Sequence, residues 1–342
     1  MKDLLTIVMT TYNSKDIVGA NTRYYFEEEL AKHCNLVQLG KGRANEKGRD
    51  EPVQTYLDKY GIKPDFVFSE EDTTGYKCGI QIDMHRTPYK QLNKMKRRKY
   101  DIMFITYPEC PYAYVGTKHG EFMKIDPRLY YNMKVFKKIC WSPHSVEPTM
   151  FYPTDDPPIY DVAFLGDHGG EVYPLRTRIY DELDQFCARN NYSLLKRERI
   201  SGKVRDRRIS KITRLNPTIH HPFLAGRVYA EALRRSRCFI FGSSIFKYPI
   251  KKWFEAGASR TLILADTPSG AERLHLEEWV THVPINASNW KERVKWVFDN
   301  PEKADKIAET WYERVMRYHT NEVRAKEFIG QLEEFLHDQD TL

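Results

Sequence analysis

Short apolar runs alternate with amphipathic stretches along most of this chain, the pattern of strands laid between helices in α/β layers with mainly parallel sheets. Leu4–Thr10 reads as a first strand, followed by the polar turn TYNSKDIVGANT and a helix from about Thr22 to Cys34. Asn35–Leu39, Asp65–Ser69 and Asp101–Thr106 read as further strands, with a basic helix from about Tyr89 to Lys99 before the last and Lys138–Ser142 as a closing strand. Pro143, Pro148, Pro153, Pro157 and Pro158 then fall close together and mark a join.

A second alternation starts after the prolines. Tyr160–Leu165 is apolar and runs into Gly166-Asp167-His168-Gly169-Gly170, and a helix is expected from about Leu175 to Asn190. Ser193–Leu195, Cys238–Phe241, Thr261–Ala265 and Val280–Ile285 supply later strands. From Asn289 the period becomes helical: Trp290, Val294 and Val297 share a face, as do Ile307, Trp311 and Val315. Phe328, Ile329, Leu332, Phe335 and Leu336 form the apolar stripe of a last helix.

Composition narrows the class. A chain of 342 residues with 41% hydrophobic and 13% aromatic content suits two packed domains. No apolar run reaches the roughly 20 residues that span a bilayer, and the first residues enter a strand pattern directly, so the expectation is a cytoplasmic protein. The six cysteines are scattered without a CxxC pair and read as reduced structural thiols. The net charge of +7 suits a polyanionic ligand, whether nucleotide diphosphate, anionic surface or nucleic acid. Much of it lies in Lys94–Lys99 and in KRERISGKVRDRRISKITR from Lys196 to Arg214, which reads as a cation-rich loop suited to an anion clamp or to acceptor docking.

The chemistry concentrates in KKWFEAGASRTLILAD, Lys251 to Asp266, followed by TPSGAERL. A short helix carrying Glu255 passes through a small-residue turn into the Thr261–Ala265 strand, which ends on Asp266 and a Ser-Gly turn. Such a strand end is where ligands bind in α/β sheets. Gly166–Gly170 also follows a strand and precedes a helix, but lacks the G-x-G-x-x-G spacing, so it is a weak dinucleotide motif. Gly19, in the turn after the first strand, occupies the equivalent place in the first half. In the first half Asp83 and His85, two apart at a strand end, share one face; they read either as an acceptor base with its partner or as a packed His–Asp pair. Asp155-Asp156 and Glu70-Glu71-Asp72 read as solvated acids in loops, and no Asp-x-Asp metal motif is evident.

The Lys251–Leu274 segment resembles the donor-nucleotide segment of GT-B glycosyltransferases, specifically the group-1 branch and its spore-maturation CgeB-like relatives. CWSPHSVEPTMFYPTDDPPIYDVAFLGD is similar to that family's crossover, and NPEKADKIAETWYERVMRYHTNEVRAKEFIGQLEEFL to its ending, with His319-Thr320 and Arg324 at the matching turn. QIDMHRTPYKQLNKMKRRKYDIMFIT resembles the relatives' Asp-x-His strand, helix and Y-D-x-x-F strand through Asp83, His85, Tyr100, Asp101 and Phe104.

The resemblance implies two Rossmann-like domains facing a cleft with a C-terminal helical arm. Residues 1–145 would bind acceptor, 146–158 would be a proline-rich linker, 159–318 would bind a nucleotide sugar, and 319–342 would pack back on the first domain. It implies that Glu255 hydrogen-bonds the ribose, that Lys252 neutralises phosphate, and that Ser243, Asp266, Gly270, Glu272 and Gly166 complete the donor site. Asp83 and His85 are the catalytic candidates, no metal or other cofactor is required, and the acceptor is open among a glycan, a lipid-linked sugar, a protein and modified DNA. Peripheral contact with anionic surfaces is also expected. Two positions depart from the family: Lys247 stands eight residues before Glu255, where many retaining members carry a second glutamate, and Arg260 stands where the family turn has Gly. The alternatives are a nucleotide-sugar hydrolase or epimerase of the same fold, and a non-catalytic polyanion or nucleic-acid binder.

Overall fold

The computed structural model describes residues 4–10, 21–39, 51–69, 73–82, 100–106, 136–168, 172–197, 226–245 and 247–340. The chain divides into two compact units, residues 1–143 with 321–342, and residues 144–320.

Unit 1 is a six-stranded sheet in the order β2-β1-β3-β4-β5-β6. The strands are β1 (Thr6–Thr10), β2 (Asn35–Leu39), β3 (Phe66–Phe68), β4 (Lys77–Ile82), β5 (Ile102–Ile105) and β6 (Lys138–Trp141), and every pairing is parallel. Strand alternation sorts the apolar side chains onto two faces. Ile7, Met9, Phe66, Phe68, Ile102 and Phe104 meet α1 (Asn21–Leu30) and the last helix, α8 (Asn321–Asp340), whereas Val8 and Val67 meet α2 (Val53–Tyr60). Phe328 of α8 is the hub of the first face, stacked 4.1 Å from Phe104 and 5.2 Å from Phe68, centroid to centroid.

Unit 2 is a five-stranded parallel sheet in the order β11-β10-β9-β7-β8. Its strands are β7 (Tyr160–Leu165), β8 (Leu194–Arg197), β9 (Ser236–Ile240), β10 (Leu262–Ala265) and β11 (Val283–Pro284). Its helices are α3 (Pro174–Arg189), α4 (Gly226–Arg234), α5 (Lys252–Ala258), α6 (Trp290–Asp299) and α7 (Pro301–Tyr318). Pro at the first turn of α3 and α7 fits the helix N-terminus, where a missing N–H costs nothing. Val162, Phe164, Cys238, Ile240, Leu262 and Leu264 pack against α3, α6 and α7 on one face. On the other, Phe241 meets Trp253 of α5, whose carbonyl accepts the Trp311 indole N–H at 2.8 Å.

The two units share a device at the strand starts. Asp101, just before β5, accepts the Cys78 N–H at 2.8 Å, and Asp161, near the start of β7, accepts the Ser193 N–H at 2.7 Å. The Tyr-Asp pairs of Y-D-x-x-F and Y-D-V-x-F are thus strand staples. The proline-rich segment belongs to unit 2, with Met150 and Phe151 buried and Asp155 and Asp156 paired to Arg260 and Arg235.

Several expectations shift. Helices α2 and α4 were not expected. The strand expected over Val280–Ile285 is only Val283–Pro284, because residues 277–282 form a tight turn in which Trp279 donates its N–H to the His282 carbonyl at 2.8 Å with φ +63°. Lys196 and Arg197, expected in a loop, belong to β8, where Lys196 pairs with Asp184 and lies over the Tyr180 ring. The rest of that basic run and the Lys94–Lys99 cluster lie outside the described residues.

Candidate functional site

The chain leaves β7 to one side to form β8 and then crosses to the other side to form β9, so the strand order of unit 2 reverses between β7 and β9. The carboxyl ends of strands at such a reversal frame a crevice, the usual ligand position in open parallel sheets. Leu165 ends β7, and Gly166 follows at φ +107°, a conformation side chains rarely adopt. The Lys252 ammonium, from the first turn of α5, donates to the Leu165 carbonyl and lies 2.7 Å from where a Cβ on Gly166 would be, too close for a side chain there. Lys252 and Gly166 are therefore brought together.

Glu255 lies on the next turn of α5. Part of its side chain reaches the surface, yet its carboxyl is surrounded densely enough that burial raises its pKa above the ordinary carboxylate range, against the pull of Lys251 and Lys252. The Tyr229 hydroxyl of α4 is shut away from solvent beside it and has no hydrogen bond of good geometry among the described residues. Burial, and then the neighbouring Glu255 charge, push that phenol well above its usual range.

At the end of β10, Asp266 accepts the Ser243 N–H at 2.5 Å and pairs with Lys247, while Ser243 Oγ donates to the Asp266 carbonyl at 3.3 Å. The Ser269 N–H donates to the Lys247 carbonyl at 2.7 Å. Asp266 and Ser243 thus hold the loop after β9 onto the turn after β10. Gly270 follows at φ +71°, and Glu272 is exposed on a short 3₁₀ turn without a side-chain bond among the described residues.

The two departures from the family pattern acquire a physical reading. Lys247 and Arg260 are both left-handed at φ +53°, which explains the family preference for Gly at the second position. Arg260 holds this conformation with its guanidinium 3.3 Å from Glu309 and 3.4 Å from Asp155.

The sequence reading missed three residues at this edge. Arg176, 3% exposed, shares the buried face of α3 with Ile179 and Leu183. Its Nε donates to the Gly242 carbonyl at 2.5 Å and its Nη1 to the Asp167 carbonyl at 3.1 Å. The signal was available, since an arginine occupied the i position of an i, i+3, i+7 apolar stripe. His282 is wholly buried, with Nε2 3.0 Å from Thr267 Oγ1, and burial lowers its pKa to about 4. Tyr229 sits on the unanticipated α4.

Asp83 and His85 lie outside the described residues; β4 ends at Ile82, immediately before Asp83. Among the described residues no group of three or more His, Cys, Asp or Glu side chains is placed to hold a metal ion, and no helix is long and apolar enough to cross a membrane. Cys34, Cys78, Cys140, Cys187 and Cys238 form no disulfide among the described residues, and burial pushes Cys34 and Cys187 up to about 12 and Cys140 to about 11.

Comparison with known proteins gives these features a setting. Residues 183–330 match a family model described as glycosyl transferase-like. No curated protein matches the chain by sequence. A glycosyltransferase from Rickettsia africae superposes with a TM-score of 0.63 at 14% identity, over 98% of this chain and 99% of that one. A sucrose-phosphate synthase from Thermosynechococcus elongatus gives 0.60 at 15% identity, over 98% and 100%. HepE from Anabaena, solved with UDP-glucose, gives 0.58 at 9% identity, over 98% and 100%. The fold is that of GT-B glycosyltransferases, two parallel-sheet α/β domains. Most of the residues matched by the glycosyl transferase-like family model lie in its second unit.

Proposed function

We propose that this protein is a nucleotide-sugar-dependent glycosyltransferase that holds its donor at the β7–β9–β10 edge of unit 2. The observation carrying this reading is the seating of Lys252 against Leu165 and Gly166 at the strand-order reversal, with Glu255 one turn on in the same helix, in a region that matches a glycosyl transferase-like family model. Glu255 accepts from the ribose hydroxyls, a charge-assisted bond suited to a partly enclosed carboxylate. Lys252 supplies positive charge to the diphosphate as its bond to the anomeric carbon breaks and the electron pair moves onto the phosphate oxygen. Protein cations in this role make the reaction metal-independent. Ser243 and Asp266 hold the edge in shape, and Gly270 and Glu272 lie on the turn that faces the donor.

The acceptor hydroxyl attacks the anomeric carbon and gives its proton to a base, for which Asp83 and His85 are the candidates. HepE was solved with UDP-glucose, which makes UDP-sugars the first donors to try. The test is release of free nucleotide from UDP-, GDP-, dTDP- and ADP-sugars, slow alone and faster with an acceptor. If none binds at millimolar concentration while DNA or RNA binds with a steep salt dependence, the reading fails in favour of a polyanion-binding protein.

A further inference from the structure

Arg176 is a buried cation that meets no carboxylate at ion-pair distance among the described residues. Its guanidinium is held by two backbone carbonyls and by the Tyr173 ring, 4.0 Å below its carbon. Asp167 and Asp266 act on it only from beyond ion-pair distance, and burial lowers its pKa. The hydrogen bonds to the described residues use Nε and Nη1 and leave Nη2 open, although a planar guanidinium offers five donors. A charge removed from water is costly unless compensated, and a bare pair of carbonyls compensates it only partly.

The anchoring carbonyls fix where this charge acts. Asp167 lies in the turn after β7 and Gly242 in the loop after β9, so Arg176 ties together the two sides of the strand-order reversal. Gly242 is packed so tightly under α3 that a Cβ there would lie 3.0 Å from Leu175 Cβ, which holds the helix start against the β9 exit.

We propose that Arg176 is a positioning residue whose uncompensated charge is reserved for the diphosphate of the donor: it sets the spacing of the β7 and β9 turns and makes the crevice between them selective for phosphorylated over unphosphorylated nucleosides. The proposal rests on the donor reading above. A purely structural Arg176 would affect all ligands of the crevice alike, whereas this role discriminates by ligand charge.

The test is calorimetric titration of the full chain and of Arg176→Lys and Arg176→Met with pyrophosphate, with UDP, GDP, dTDP and ADP, and with the matching nucleosides, after checking each fold by thermal melting. The expected result is a loss of about 10–100-fold in Met for diphosphates and pyrophosphate, a smaller loss in Lys, and nucleoside affinity within about twofold of wild type in both. Should Met fail to fold, Lys alone must still lower the ratio of diphosphate to nucleoside affinity. An unchanged ratio in variants that bind nucleotide overturns the role of Arg176 and leaves the donor reading intact. A wild-type chain that binds no diphosphate overturns both.

Discussion

The first face of the unit 1 sheet and the C-terminal edge of the unit 2 sheet spend burial on opposite things. In unit 1 the enclosed side chains are aromatic, with Phe26, Phe66, Phe68, Phe104, Phe328 and Phe335 in one cluster between the sheet and α8. At the unit 2 edge, burial falls on groups that resist it: the guanidinium of Arg176, the Glu255 carboxyl, the Tyr229 phenol and the neutral His282. A phenylalanine cluster maximises stability, while a set of partly compensated polar groups at strand ends lowers it and reserves interaction energy for a ligand. Changes in the first region should therefore move stability alone. Changes in the second should separate stability from binding.

The largest expected effect is in the aromatic cluster. Phe328→Ala should destabilise unit 1 by about 3–5 kcal/mol in denaturant unfolding, because three rings lose their central partner. Nucleoside diphosphate affinity of the remaining folded protein should stay unchanged; a parallel loss of affinity would erase the contrast.

Next comes His282. Its ordinary value near 6.5 falls to about 4 in the fold, so the unfolded chain takes up the proton first as pH drops. Its contribution is complete above about pH 6.5 and is lost between there and pH 4, amounting to about 3 kcal/mol. His282→Gln should flatten the acid limb of a stability–pH curve over that window, and an unaltered limb would show that His282 is not kept neutral.

Glu255→Gln should weaken nucleotide binding by about 1–3 kcal/mol while the fold survives. The pH dependence has the opposite sign from His282. A carboxyl raised by burial binds its proton more tightly in the fold, so its burden on stability grows as pH rises through its raised range. The Gln variant should gain on wild type in melting temperature as pH rises above the ordinary carboxylate range. Equal curves, with equal affinity, would make Glu255 an ordinary surface acid.

The smallest effect is at the strand staples. Asp161→Ala removes the acceptor for the Ser193 amide and hydroxyl and should cost about 1 kcal/mol without altering binding, which is checked in the same titrations. A fall in nucleotide affinity would mean that the strand starts of unit 2 are coupled to the opposite edge.

How much of this was legible in the sequence follows the same division. The strand Tyr160–Leu165 was readable to the residue because a buried parallel strand writes itself as an apolar run between polar turns, and the half-buried edge strand Asn35–Leu39 because Leu36, Val37 and Leu39 follow a helix end. The Phe328–Leu336 stripe gave away α8. Helix α2, VQTYLDKY, buries only Val53, Tyr56 and Leu57, too few positions to establish a period, and α4, GRVYAEALR, spans only nine residues and carries two arginines among its apolar positions.

Lys252 and Glu255 stood out in the sequence because they lie on a short helix that runs into an apolar strand. The candidate site was not legible where a residue acts through tertiary geometry. Arg176 gains its place from two carbonyls far along the chain, and Asp266 is used up in pairing with Lys247 and the Ser243 amide. Spacing alone carries no record of such partners.

The most direct measurement of the central claim is amide hydrogen exchange of the full chain with and without a saturating nucleoside diphosphate chosen from the titration panel. The account predicts slowed exchange in residues 239–245, 252–258 and 264–270 of unit 2, lost in Lys252→Ala at the same ligand concentration, with Ile7–Met9 and Ile102–Ile105 of unit 1 unchanged. Protection confined to the unit 1 strands, or none anywhere at saturation, would contradict a donor site at the β7–β9–β10 edge.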